Sequence, residues 1–185
     1  MLHTITLTRR GQRTLRDVQA AHGLTRHLTG GAPHQWVQVA RDTLIIRTAT
    51  AELDTAPEHV HAVTTAVEPP TPPTGTPIRY AARIHPVRRH GSHETPLHGD
   101  DIRDWAHTKL SDALNLHPDT LTIQEGPPHT GTRWGRRVII HTAAITGTAT
   151  VRDRDTLTHL LSAGIGRAKA YGQGLLLTTP LGATP

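Results

Sequence analysis

Residues 2–8, LHTITLT, alternate apolar and polar positions, the period of a half-buried strand. The period then changes. In LRDVQAAHGLTRHL, residues 15–28, the apolar positions Leu15, Val18, Ala21 and Leu24 recur at helical spacing. HQWVQVARDTLIIRTA, residues 34–49, reads as two strands joined at Arg41-Asp42, and EHVHAVTTAV, residues 58–67, as a weaker fourth strand. The densest break follows in EPPTPPTGTP, residues 68–77, whose five prolines and one glycine fit neither a helix nor a central strand.

Beyond that break the order repeats. PIRYAARIHPV reads as a strand, and DDIRDWAHTKLSDALNL as an amphipathic helix with Ile102, Trp105, Leu110 and Leu114 near one face and acids in its first turn. TLTIQE and RVIIHTAAITGTATV read as strands, TLTHLLSAG as a short helix and LLLTTP as a closing strand. The predicted architecture is therefore α+β, two tandem ferredoxin-like domains with antiparallel sheets: residues 1–67, a proline-rich linker 68–77, and residues 78–185. No internal sequence repeat accompanies this order, so it rests on element order alone.

A chain of 185 residues has room for two cores of about ninety residues each. Its 20 Lys and Arg against 15 Asp and Glu give a formal charge of +5, which favours an anionic partner. All the cations but Lys109 and Lys169 are Arg, a bias that suits bidentate phosphate contacts and equally follows from arginine-rich codon usage. The absence of cysteine removes disulfides and thiolate chemistry and fits a reducing, cytoplasmic setting. No apolar run is long enough to span a bilayer, so no membrane partner is expected.

Candidate chemistry concentrates in two basic, glycine-rich stretches. In GIGRAKAYGQGLLLTTP, residues 164–180, Gly164 and Gly166 precede Arg167 and Lys169 between a predicted helix and a predicted strand. A dinucleotide fingerprint needs the opposite order, strand then helix, and no GxxxxGK[ST] is present. Tight turns would account for the glycines; the interleaved cations favour a path for a phosphate backbone. The second stretch, GPPHTGTRWGRRV, reads as a hairpin tip bearing Arg133, Arg136 and Arg137, suited to the phosphates of an A-form stem. Arg9, Arg10, Arg13 and Arg16, near the first helix, would hold another flank. With Phe absent and Tyr scarce, stacking of single-stranded bases on a sheet is poorly supported.

The segment GTATVRDRDTLTHLLSAGIGRAKAYGQGLLLTTP resembles the carboxy-terminal signature of the CasE family, the repeat-cleaving endoribonuclease of type I-E CRISPR Cascade. Gly164, Gly166, Lys169, Gly172, Gly174, Leu175 and Leu176 match its GxGxxKxxGxGLL loop. GTPIRYAARIHPV resembles the family's strand opening the second domain, DWAHTKL its WLxxKL helix, and LRDVQAAHGLTRHL its first helix with an embedded histidine.

The resemblance implies metal-independent cleavage of a CRISPR repeat hairpin, with no cofactor, and retention of the crRNA among the other Cascade subunits. It also places His22 at the family's catalytic histidine. Two positions depart from the pattern: Gln19 stands where the family often has a tyrosine, and Gly23 where it has a basic residue. A catalytically weak or inactive subunit that holds guide RNA is the alternative. A zinc site built from His59 and His61, or from His90, His93, Glu94 and His98, is a remote third reading.

Overall fold

The computed structural model describes residues 1–54, 56–91 and 93–182. Ser92 and the last three residues assigned above to the second domain lie outside the described residues. The elements run β1 (Leu2–Leu7), α1 (Arg9–Thr14), α2 (Val18–Leu28), β2 (His34–Ala40), β3 (Thr43–Thr48), β4 (Val60–Ala66), β5 (Pro77–Ile84), β6 (Val87–His90), β7 (His93–Pro96), α3 (Asp100–Leu110), β8 (Leu114–Leu116), β9 (Thr122–Arg133), β10 (Arg136–Val151), α4 (Arg154–Ala163) and β11 (Leu176–Pro180).

By the grouping of its contacts the chain divides into two units. The first comprises Met1–Pro69, Pro128–Ile140 and Ala168–Gln173; the second comprises Pro70–Pro127, His141–Arg167 and Gly174–Pro185. The division at Pro69 falls inside the proline-rich segment, but the sequence-based boundaries give residues 128–140 and 168–173 to the other half. The cause lies partly in strand length. β10 has sixteen residues and β5 matches only Ala143 to Thr150, so the start of β10 is left to run with β9.

The first unit carries a four-stranded antiparallel sheet in the order β2-β3-β1-β4. Ile5, Leu7, Leu24, Leu28, Trp36, Leu44 and Ile46 form its core, the inward residues of β1, β2 and β3 meeting the apolar face of α2. The predicted helix from Leu15 begins instead at Val18. Asp17 caps it, its carboxylate oxygen accepting from the backbone N–H groups of Gln19 and Ala20 at 2.8 and 2.9 Å, and this cap separates α2 from the short α1.

The second unit carries a five-stranded sheet in the order β11-β5-β10-β8, with β9 beside β10. In both sheets the closing strand lies beside the opening one, and the strand order is the ferredoxin-like order expected from the sequence. Ile78, Tyr80, Ile84, Ile102, Leu110, Ile145 and Leu157 build its core. The helix predicted over residues 100–116 stops at Leu110, because Leu114–Leu116 pairs with β10 as a strand. An unpredicted hairpin, β6 with β7, occupies the histidine-rich segment. No helix among the described residues is long and apolar enough to cross a membrane.

Candidate functional site

The first unit brings His22, Gln19 and Tyr171 together. His22 and Gln19 are one turn apart on α2 and share a face. Tyr171 comes from residues 168–173, where the Tyr171 hydroxyl donates to Gln19 Oε1 at 3.3 Å. Its ring meets the His22 ring edge-on, with centroids 6.1 Å apart and planes at 70°. Tryptophan fixes this short segment: the Trp36 indole N–H donates to the Ala170 carbonyl at 3.2 Å. Gly172, at φ +74°, lies so close that a Cβ there would stand 2.7 Å from the indole ring.

His22 is half-buried, and its Nδ1 is enclosed without a hydrogen-bond partner among the described residues. Burial is the chief cause that holds its pKa below the usual histidine range. The positive fields of His34, Arg26 and Arg133 act in the same direction, and the Ala170 backbone opposes them. The imidazole is therefore neutral at pH 7, the form that accepts a proton.

The other sequence-predicted residues are distributed as follows. Arg9, Arg10 and Arg13 lie on α1 and Arg16 just beyond it, all exposed. Arg16 joins Gln12, Gln38, Arg41 and His129 around a cleft of about 300 Å³ in the first unit, whose wall Leu15 and Pro128 line as well. Arg133, Arg136 and Arg137 flank the two-residue turn between β9 and β10, exposed as expected, and the Arg133 guanidinium lies 4.2 Å from the Trp134 ring centroid. Lys169 opens the 3₁₀ turn that ends at Tyr171.

In the second unit Gly164 caps α4 at φ +71°, and Gly166 abuts the Trp105 ring. Gly174, at φ +85°, would place a Cβ 2.2 Å from the Ile165 carbonyl oxygen. Turn geometry thus accounts for these glycines by itself. Arg167 is ion-paired, its Nε 2.9 Å from Glu94 Oε1. The other Glu94 oxygen faces His85 Nε2 at 3.4 Å.

The zinc clusters considered from sequence come apart. Glu94 is engaged by Arg167, His98 pairs with Glu125 at 2.6 Å, His59 pairs with Glu58 at 2.9 Å, and His90 faces His93 across the β6–β7 ladder. Among the described residues no three or more His, Asp or Glu side chains gather as a metal site would require.

Three residues escaped the sequence reading: Tyr171, Arg41 and Trp134. Tyr171 falls within the glycine-rich motif, but its pairing with Gln19 joins positions 152 residues apart.

A comparison with curated proteins finds no match. Among solved structures, the CRISPR-associated protein Cas6e from Escherichia coli K-12 superposes with a TM-score of 0.78 at 22% identity, covering 98% of this chain and 100% of that one. CRISPR endoribonuclease Cse3 bound to a 19 nt RNA gives a TM-score of 0.82 at 20% identity, covering 97% and 99%. A chain of E. coli Cascade bound to a PAM-containing dsDNA target gives 0.63 at 21% identity, covering 98% and 99%. These likenesses show the fold. A family model described as CRISPR associated protein matches residues 2–180. Nearly the whole sequence lies within that match, and the chain belongs to this CRISPR associated protein family, as the CasE resemblance of its glycine-rich segment implies.

Proposed function

We propose that this protein is a metal-independent endoribonuclease that binds the hairpin of a CRISPR repeat, cleaves the precursor RNA and keeps the crRNA product within a Cascade complex. The observation that carries the reading is the His22 site: an imidazole neutral at pH 7, positioned against Tyr171 and Gln19 and set in a field of arginines. A cleavage without metal uses the RNA's own 2′-OH as nucleophile, so the protein has only to move protons and stabilise charge on the phosphorane.

In this reading neutral His22 takes the 2′-OH proton as the O2′–P bond forms. The P–O5′ bond breaks, and the 5′ oxygen leaves as a hydroxyl with a proton from solvent, to which His22 returns the one it took, so that a 2′,3′-cyclic phosphate remains on the other product. Proton transfer by one positioned histidine contributes about 10² to 10⁴ in rate. Arg9, Arg10, Arg13, Arg16, Arg133, Arg136, Arg137, Arg167 and Lys169, with the backbone at Gly164 and Gly166, are the proposed RNA contacts. The likeness to Cse3 bound to RNA and to a chain of Cascade supports this substrate and this setting.

The test is cleavage of the cognate repeat RNA by wild type and His22→Ala. A subunit that holds guide RNA without cutting it is favoured by Gln19 in place of the family's tyrosine, and would bind the hairpin with both proteins leaving it intact.

A further inference from the structure

The turn between β9 and β10 is built around an outlier. Its two central residues, Trp134 and Gly135, have φ of +50° and +72°. A two-residue hairpin turn of the I′ type requires positive φ at both places, which glycine meets freely and for which Asn, Asp or Gly is the usual first residue. A bulky side chain there is strained. Nor does folding shelter the ring: Trp134 is 86% exposed, whereas Trp36 is 5% exposed. A tryptophan that is both strained and unburied contributes little to folding, and such a combination points toward a ligand.

The surroundings specify what kind. Arg133 packs its guanidinium on the ring, Arg136 and Arg137 follow on the next strand, and all three are exposed. No acidic residue occurs between positions 126 and 151. An aromatic face among cations suits a nucleotide, the ring taking the base and the guanidinium groups the phosphates on either side.

We propose that Trp134 is a base-stacking residue that takes an unpaired base next to the hairpin stem. This rests on the RNA-binding reading above. Within an A-form duplex each base face is covered by its neighbours, and the stem presents only phosphates, sugars and groove edges. A projecting ring therefore finds a face to stack on only at an unpaired or terminal base. One aromatic residue at the tip of a basic arm serves one such base, without the aromatic sheet that the composition argues against.

The experiment uses the full chain with two RNAs: the CRISPR repeat hairpin with its unpaired nucleotides, and a duplex that embeds the same stem in longer paired flanks, so that no unpaired or terminal base adjoins the stem. Trp134→Asn favours the turn and removes the ring; Trp134→Phe keeps a ring. The expected result is a Kd for the hairpin about tenfold weaker with Trp134→Asn and within about threefold of wild type with Trp134→Phe, neither variant altering the Kd for the duplex. Hairpin RNA should also quench a component of tryptophan emission that Trp134→Phe lacks. An unchanged Kd with Trp134→Asn, an equal loss on both RNAs, or no quenching dependent on Trp134 would overturn the stacking role. Failure of wild type to bind either RNA overturns the RNA-binding reading itself, and the stacking role with it.

Discussion

The Tyr171 hydroxyl donates to Gln19 Oε1 at 3.3 Å, while the same tyrosine's ring stands edge-on to His22. One side chain from the glycine-rich segment thus meets two polar residues of α2 that lie one turn apart. Tyr171→Phe removes the hydrogen bond and keeps the ring. A single neutral hydrogen bond is worth about 1 kcal/mol, so single-turnover cleavage should slow roughly fivefold with the Kd for the hairpin unchanged. A Kd that weakens in step with the rate would instead make Tyr171 a binding residue.

Burial, His34, Arg26 and Arg133 together keep His22 neutral below its ordinary titration range. The acid limb of the cleavage profile should therefore have its midpoint below 6.5, and Arg133→Ala should move that midpoint upward. Stability has a matching pH dependence. Between the folded pKa and 6.5 the unfolded chain binds a proton at this site that the folded chain does not, so the contribution is full above 6.5 and is lost as pH falls through that window. Urea titrations of wild type and His22→Ala across pH 5 to 7 check this, the variant lacking that part of the slope.

Glu94 occupies Arg167 in the structure, and a phosphate contacting that arginine has to compete with the carboxylate. Glu94→Gln should tighten RNA binding about two- to fivefold at low salt and steepen the salt dependence, the ion pair being partly exposed. Arg167→Ala should do the reverse, flattening the slope by about one phosphate contact. Kd measured at several salt concentrations decides it; slopes that agree among all three proteins would remove Arg167 from the RNA path.

Two glycines should respond oppositely to alanine. Gly174→Ala adds a Cβ 2.2 Å from the Ile165 carbonyl at a φ of +85°, and should cost roughly 3 kcal/mol. Gly23 lies within α2 with nothing within 4 Å of an added Cβ, so Gly23→Ala should stabilise by about 0.5 to 1 kcal/mol. Thermal unfolding of the two variants, one Tm below wild type and one above, is the check.

Much of the architecture was legible because its signals are local. The alternation in LHTITLT gives β1, the helical spacing of Val18, Ala21 and Leu24 gives α2, and the order of elements gives the ferredoxin-like pattern of each half. What failed was decided by tertiary partners. Leu114–Leu116 continues the helical pattern of α3, but pairing with β10 takes it into the sheet. The β6–β7 hairpin has too few apolar residues in HETP and VRRH to announce itself. A family motif singles out His22 as the proposed catalytic residue, whereas its neighbour Tyr171 lies nearly 150 residues away in sequence and is joined to it only by folding. Trp134 carried no sequence signal, since its exposure and positive φ are properties of the turn.

The most direct measurement is incubation of the cognate CRISPR repeat RNA with wild type and with His22→Ala in excess EDTA. Metal-free cleavage centred on His22 predicts scission by wild type to a 5′-hydroxyl and a 2′,3′-cyclic phosphate, and an intact but bound hairpin with His22→Ala. Cleavage that stops in EDTA, or that proceeds equally in both proteins, would contradict it.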